Sequence, residues 1–266
     1  MSSSLPLIVT RLRAAGCVFA EDEARLIVSA ARTPADLATM VDRRAAGLPL
    51  EHVLGWAEFR GLRVAVDPGV FVPRRRTEFL VTEAAALAPA GPAPVVVDLC
   101  CGSGAVGAAL AAILDGAELH AVDIDPAAVR CARRNVAAFG GRVYQGDLYQ
   151  PLPAALRGRV GLLIANAPYV PTGEIGLLPP EAREHEPLTA LDGGADGLDI
   201  LRRVTEPAPR WLAPGGHLLV EASERQLPGL TQIAAGSGLV PRVASSAELD
   251  ATVVIATRPA PAQDLT

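Results

Sequence analysis

The spacing of apolar positions changes twice along the chain. Residues 1–46 carry them at helical spacing: Leu5, Ile8, Val9 and Leu12 share one face, and Ala24, Leu26, Ile27 and Val28 lie between the charged ends of Glu21–Ala31. A third helix has a clear start, with Thr33 as N-cap, Pro34 at the first helical position and Asp36 in the first turn. Its apolar face is Leu37, Met40 and Val41, and Gly47 ends it. The first fifty residues therefore predict a small helical bundle. Over 57–72 the period becomes two: Phe59, Leu62, Val64 and Val66 roughly alternate, Asp67-Pro68-Gly69 supplies a turn, and Val70, Phe71 and Val72 follow, which predicts a hairpin.

From 76 to 258 short apolar runs alternate with helical stretches. Strands are expected at Val95–Leu99, Glu118–Val122, Arg142–Gln145, Val160–Ala165, His217–Glu221, Val240–Ala244 and Thr252–Thr257. Helices are expected at Glu78–Leu87, Ala105–Leu114, Ala127–Phe139, Leu198–Leu212 and Arg225–Ala235. This predicts an α/β fold with a seven-stranded, mostly parallel sheet covered on both faces. The last two strands have no helix between them and should form an antiparallel hairpin at one sheet edge. The expected organisation is a helical domain at 1–56, a hairpin linker at 57–75, an α/β domain at 76–258 and a flexible Pro/Ala-rich tail at 259–266.

Composition narrows the class. Half of the 266 residues are hydrophobic, enough for a sizeable core and too many for general disorder. The net charge of −5 argues against a protein that holds long nucleic acid by its backbone. All 24 cations are Arg, with no Lys, a bias that points to a GC-rich genome. The four cysteines, Cys17, Cys100, Cys101 and Cys131, have no metal-ligand spacing, so no metal site is expected, and the adjacent pair is poorly placed for a mutual disulfide. No basic leader precedes an apolar run and no segment reaches membrane-spanning length, so the expectation is a cytoplasmic protein.

The candidate chemistry begins where Val95–Leu99 runs into Cys100-Cys101-Gly102-Ser103-Gly104-Ala105-Val106-Gly107 and a helix starts. Glycines there let a ligand approach the backbone, and the helix N-terminus offers free N–H groups. Gly102, Gly104 and Gly107 satisfy G-x-G-x-x-G, and Asp123 follows Gly102 by 21 residues, so a nicotinamide dinucleotide or a purely structural turn both fit this stretch alone. Asp98 tilts the reading, because a carboxylate beside the loop would repel a pyrophosphate and suits a ligand with an ammonium group, such as the methionine part of S-adenosylmethionine. Its other possible role is to accept loop N–H groups. Asp123 would accept from ribose hydroxyls and Asp125 would N-cap the next helix, or the two exchange roles. Asp147 would accept an adenine amino group with Leu148 packed on the ring, or would serve only its turn.

The fourth strand ends in Asn166-Ala167-Pro168-Tyr169, on the carboxyl edge shared with Gly102, Asp123 and Asp147. It resembles the N-P-P-Y signature of methyltransferases acting on amide or exocyclic amine nitrogens. Such a nitrogen is a weak nucleophile. The Asn166 side-chain oxygen and the Ala167 carbonyl can each accept one of its N–H bonds, turn its lone pair toward a methyl donor and offset the charge that develops. Tyr169 can pack on the planar group. Ala in the second position keeps the carbonyl and frees its φ.

Over most of its length the sequence resembles the HemK/PrmC family of protein-glutamine methyltransferases. The resemblance is carried by Pro49–Gly55 with Phe59–Leu62, by Phe71-Val72-Pro73-Arg74 with Thr77-Glu78, and by Asp98–Gly104, with Cys100 where the family has Gly. It continues through Asn166–Tyr169, Glu186-Pro187, Ala190-Leu191, Gly193-Gly194, Asp196–Asp199 and Leu212–Gly216. The resemblance implies a class I, Rossmann-like methyltransferase domain that binds S-adenosylmethionine, a helical domain that recognises the protein substrate, and a monomer. It implies methyl transfer to a glutamine amide of a peptide-chain release factor. Phe71, Pro73, Arg74 and Thr77 would close over the cofactor, with Asp98, Cys100, Gly102, Gly104, Asp123, Asp147, Leu148 and Asn166 holding it, and Asn166, Ala167, Pro168 and Tyr169 would be catalytic. The acidic run Glu181–Glu186 would receive a basic release-factor tip. Competing readings are a paralogue acting on a ribosomal-protein glutamine, an adenine-N6 nucleic-acid methyltransferase, a nicotinamide-dependent oxidoreductase and a non-catalytic binding module. The nucleic-acid reading lacks a basic groove, and the oxidoreductase reading leaves Asp98 and Asn166–Tyr169 without a role.

Overall fold

The computed structural model describes residues 5–88 and 93–260. Helices α1 (Leu5–Ala14), α2 (Ala20–Ala30), α3 (Pro34–Ala45) and α4 (Leu50–Leu54) form the bundle around Leu12, Ala20, Ala24, Ile27, Met40 and Val41. Thr33 caps α3 as the sequence predicts, its hydroxyl accepting from the Asp36 N–H at 3.1 Å. The short α4, inside the expected helical domain but beyond its three predicted helices, ends on Gly55 at φ +80°, a left-handed turn that glycine adopts without strain.

Strands β1 (Trp56–Phe59) and β2 (Leu62–Ala65) pair antiparallel, with Phe59 opposite Leu62. The hairpin turn is therefore Arg60-Gly61, not Asp67-Pro68-Gly69. Both turn residues have positive φ, +51° and +74°, the geometry whose twist matches a two-residue hairpin loop. Asp67–Gly69 does form a turn, the Val70 N–H donating to the Asp67 carbonyl, but residues 70–74 continue without forming a strand.

Seven strands make the main sheet: β3 (Val95–Leu99), β4 (Glu118–Asp123), β5 (Arg142–Gln145), β6 (Val160–Ala165), β7 (Leu212–Glu221), β8 (Val240–Ser246) and β9 (Ala251–Thr257). Their spatial order is β5-β4-β3-β6-β7-β9-β8. The first five run parallel, while β9 is antiparallel to both β7 and β8, so the last two strands form the antiparallel edge that the sequence predicts. β7 begins at Leu212 rather than His217, and its pairing with β6 shifts register at that start.

Helices α5 (Glu78–Ala86), α6 (Ala105–Ile113), α7 (Pro126–Val136), α8 (Pro180–His185), α9 (Asp199–Thr205) and α10 (Leu227–Gly236) complete the chain. The helix expected at Leu198–Leu212 stops at Thr205, and Pro207 follows two residues later. Strand side chains alternate between two cores. Val97, Leu99, Leu163 and Leu218 enter one with Leu201 and Val204 of α9, while Val96, Leu162, Ile164 and Leu219 enter the other with α5 and α6. Each fully buried Leu contributes roughly 1.5–3 kcal/mol over leaving it in water. Of the predicted tail, residues 261–266 lie outside the described residues.

One ion cluster ties the bundle to the α/β part. The Arg44 guanidinium, nearly buried, donates to both carboxylate oxygens of Glu23 at 2.6 and 3.1 Å, to the Leu48 carbonyl at 2.9 Å, and across to Glu181 of α8 at 2.6 Å. Removing the cation strands the buried Glu23 carboxylate. We expect Arg44→Ala to lower the unfolding free energy by about 3 kcal/mol in urea titrations followed by tryptophan fluorescence, and a loss below about 1 kcal/mol would show that the cluster contributes little.

Candidate active site

The reversal of strand order between β3 and β6 opens a crevice at the carboxyl ends of the parallel strands. A cavity of about 400 Å³ lies there, and its wall takes residues from the ends of β3, β4, β5 and β6, from the 71–77 segment and from the loop after α8. Among the predicted residues, Phe71, Pro73, Thr77, Asp98, Cys100, Gly102, Asp123, Asp147, Leu148, Asn166 and Pro168 line it. Arg74, Gly104, Ala167 and Tyr169 do not.

The loop after β3 is wound by left-handed residues: Cys100 at φ +55°, Gly102 at +54° and Gly104 at +78°. Glycine adopts that conformation freely, and a cysteine there carries about 1–2 kcal/mol of strain. Burial pushes both the Cys100 and Cys101 thiols up. Gly107 has a different role. A Cβ there would sit 3.1 Å from the Asp98 carboxylate and 3.1 Å from Leu119, so glycine lets α6 approach β3.

That approach sets the state of Asp98. Its Oδ2 accepts from the Gly107 N–H at 2.9 Å, the role raised as an alternative in the sequence, while the side chain also reaches the cavity wall. Burial pushes its carboxyl up to about 7, against the Gly107 N–H and with Asp123 adding to the rise. Asp123 accepts from the Gly102 N–H at 2.8 Å and from the Asp125 N–H at 2.9 Å. Burial raises its carboxyl and those N–H groups oppose the rise. Asp125 caps α7, accepting from the Ala127 N–H at 2.7 Å, which is the capping role the sequence gives it first.

Asp147 is not a free acceptor, because Arg203 of α9 pairs with it at the cavity wall. Arg203 carries no motif and was missed. Arg74, expected over the cofactor, instead meets Glu186 through two bonds of 2.7 and 2.6 Å, with its guanidinium carbon 4.9 Å from the centre of the Phe71 ring. Glu186 also accepts from the Val72 N–H at 3.2 Å; burial raises its carboxyl while Arg74 pulls it down. The acidic run is therefore not an open acidic face: Glu181 is held by Arg44, Glu184 by Arg183 and Glu186 by Arg74.

Asn166 follows the last residue of β6. Its amide nitrogen donates to the Thr77 hydroxyl at 3.3 Å, and its side-chain oxygen accepts no hydrogen bond from the described residues. The Ala167 carbonyl likewise accepts none from them. The Tyr169 ring packs against the core and its hydroxyl donates to Glu221 at 3.2 Å, and burial pushes that hydroxyl up. Glu221 was also missed, although a carboxylate ending the apolar run Leu218-Leu219-Val220 at this edge is a readable signal. Among the described residues no three His, Cys, Asp or Glu side chains cluster to hold a metal, and no helix is long and apolar enough to cross a membrane.

The sheet order and this crevice define a class I methyltransferase fold. A solved methyltransferase from Pyrococcus furiosus superimposes with a TM-score of 0.57 over 82% of this chain and 99% of that one, at 16% identity. The ribosomal protein L11 methylase of Lactobacillus delbrueckii subsp. bulgaricus gives 0.51 over 70% and 80%, at 17% identity. The model of the methyltransferase small domain matches residues 61–176. The chain is 44% identical over 184 residues to the release factor glutamine methyltransferase of Geobacter sulfurreducens, covering 68% of this chain and 63% of that protein. It is 43% identical over 189 residues to that of Streptomyces coelicolor, covering 70% and 67%. It is 39% identical over 203 residues to the 4-amino-L-phenylalanine/4-methylamino-L-phenylalanine methyltransferase of Streptomyces pristinaespiralis, covering 74% and 69%. The chain belongs to the release factor glutamine methyltransferase family. Its match spans just under two thirds of the Geobacter protein's own length.

The shifted Asp98 gives a pH signature. Folded, it keeps its proton up to about pH 7; unfolded, only to about pH 4, so the native state binds the extra proton and loses stability as pH rises between those values. We expect the stability of the ligand-free protein, minus that of Asp98→Asn, to fall from about pH 4 to about pH 8 in urea titrations. A pH-independent difference would refute the assignment.

Proposed function

We propose that this protein transfers a methyl group from S-adenosylmethionine to the side-chain amide nitrogen of a glutamine in a peptide-chain release factor. The observation that carries the reading is Asn166. It stands on the cavity wall with its amide nitrogen held by Thr77 and its oxygen free to accept from a target N–H.

The cavity suits the cofactor. Asp98 is a buried carboxyl that keeps its proton up to about pH 7, and a cationic ligand beside it favours its ionised form. A pyrophosphate there would oppose that ionisation, which disfavours a dinucleotide. Asp123, oriented by the Gly102 and Asp125 N–H groups, has remaining lone pairs for ribose hydroxyls. Leu148 and Phe71 offer apolar surface, and Asp147 would meet a base edge with Arg203 beside it. When bound, the cofactor supplies an electrophilic methyl group. The residues do the rest by positioning: Asn166 Oδ1 and the Ala167 carbonyl accept the two N–H bonds of the target amide, orient its lone pair and disperse the charge formed during transfer. Asn166 thus acts as a catalytic residue without a general base. Family membership supports the release factor as partner.

A free arylamine is the second reading, raised by the relative named for 4-amino-L-phenylalanine and by Ala167 in place of the more rigid Pro. Both are tested by incubating the full chain and labelled cofactor with release factor, a ribosomal-protein fraction, DNA and 4-amino-L-phenylalanine. We expect label on the release factor that vanishes when its target glutamine is changed. Label confined to DNA or to the free amino acid would overturn the glutamine reading. Asn166→Ala should lower kcat by roughly 10²–10³-fold with cofactor affinity nearly unchanged, whereas Asp123→Ala should chiefly weaken cofactor binding in titration calorimetry.

A further inference from the structure

Glu221 closes β7 beside the site, almost fully buried, and takes no part in the chemistry described above. Three donors converge on it. The Thr77 hydroxyl donates to Oε2 at 2.8 Å, the Tyr169 hydroxyl to Oε1 at 3.2 Å, and the Arg76 Nε lies 3.2 Å from Oε1. Thr77 is in turn the partner of the Asn166 amide nitrogen at 3.3 Å.

We propose that Glu221 is a positioning residue that, through the Thr77 hydroxyl, fixes which end of the Asn166 amide faces the cavity. A threonine hydroxyl has one proton. Glu221 takes that proton, because a carboxylate paired with Arg76 only accepts. Thr77 can then offer Asn166 only a lone pair, and only the NH₂ end of the amide can use it. Oδ1 is thereby turned to the target nitrogen as an acceptor. Without the chain the two ends of the amide are nearly the same shape, so packing alone would not choose between them. This rests on the methyl-transfer reading, since it assigns Oδ1 as the useful end.

The near-isosteric Glu221→Gln reverses the sense of the chain. Arg76 and Tyr169 both donate toward Oε1, so the glutamine oxygen faces them and its NH₂ faces Thr77. Thr77 then accepts from residue 221, donates its proton to Asn166, and the amide rotates by half a turn.

The test follows the Asn166 side-chain amide resonances in the full chain, identified by their loss in Asn166→Ala, together with turnover on the release factor. We expect Glu221→Gln to move those resonances and to lower kcat by roughly 10²-fold with KM little changed, the pattern of a lost transition-state acceptor. Thr77→Val should also move them, and adding Glu221→Gln to Thr77→Val should change neither the resonances nor kcat further, because the relay is already cut. Thr77→Ser, which keeps the hydroxyl, should recover most of what Thr77→Val loses. Unmoved resonances in folded Glu221→Gln, or effects of the two substitutions that simply multiply, would overturn the positioning role. A wild-type chain that methylates no protein glutamine would overturn the methyl-transfer reading instead, and the resonances of the four variants would still decide how the amide is held.

Discussion

The site depends on one constraint of strand order: β3 is hydrogen-bonded in parallel to β4 on one side and to β6 on the other. The chain must leave β3 in one direction and later return on the opposite flank. The loops at the ends of both neighbours are consequently splayed around the end of β3 rather than stacked over it. Asp98, Asp123 and Asn166 are far apart in sequence and occupy one wall only because three strands end in register. Gly107 allows α6 to close down on that point, and the same closeness buries Asp98 enough to loosen its hold on charge.

How legible this was in the sequence differs from element to element. Of the five parallel strands, β3, β4, β6 and the second half of β7 could be read from short runs rich in apolar residues, and Thr33 and Asp125 announce their helices by chemistry that acts within three residues. The hairpin turn was misread for a definite reason. Asp-Pro-Gly is the stronger local signal, yet the chain turns at Arg60-Gly61, where an arginine takes a left-handed φ usually left to glycine or asparagine. In the site, motif residues at strand ends were found. Those that hold them were not, because Thr77–Glu221, Arg74–Glu186 and Asp147–Arg203 pair across 144, 112 and 56 residues, and no local pattern records such partners.

Two readings of single residues changed once their partners were visible. Arg74, which the resemblance places over the cofactor, is the counter-charge of a buried glutamate that holds the 71–74 segment against the loop after α8. The acidic run had seemed a landing surface for a basic partner, and its carboxylates are committed to arginines of the same chain.

The use of guanidinium as the basic partner at these joints has a consequence for how they fail. The joints are made by the guanidinium groups of Arg44, Arg74, Arg76 and Arg203, and a guanidinium does not give up its proton in proteins. An ammonium in their place would begin to discharge in the alkaline range. The joints are therefore one-sided: alkali leaves them intact, and only acid, by neutralising the carboxylate half of each pair, can release the bundle, the 71–74 segment and the amide-holding network.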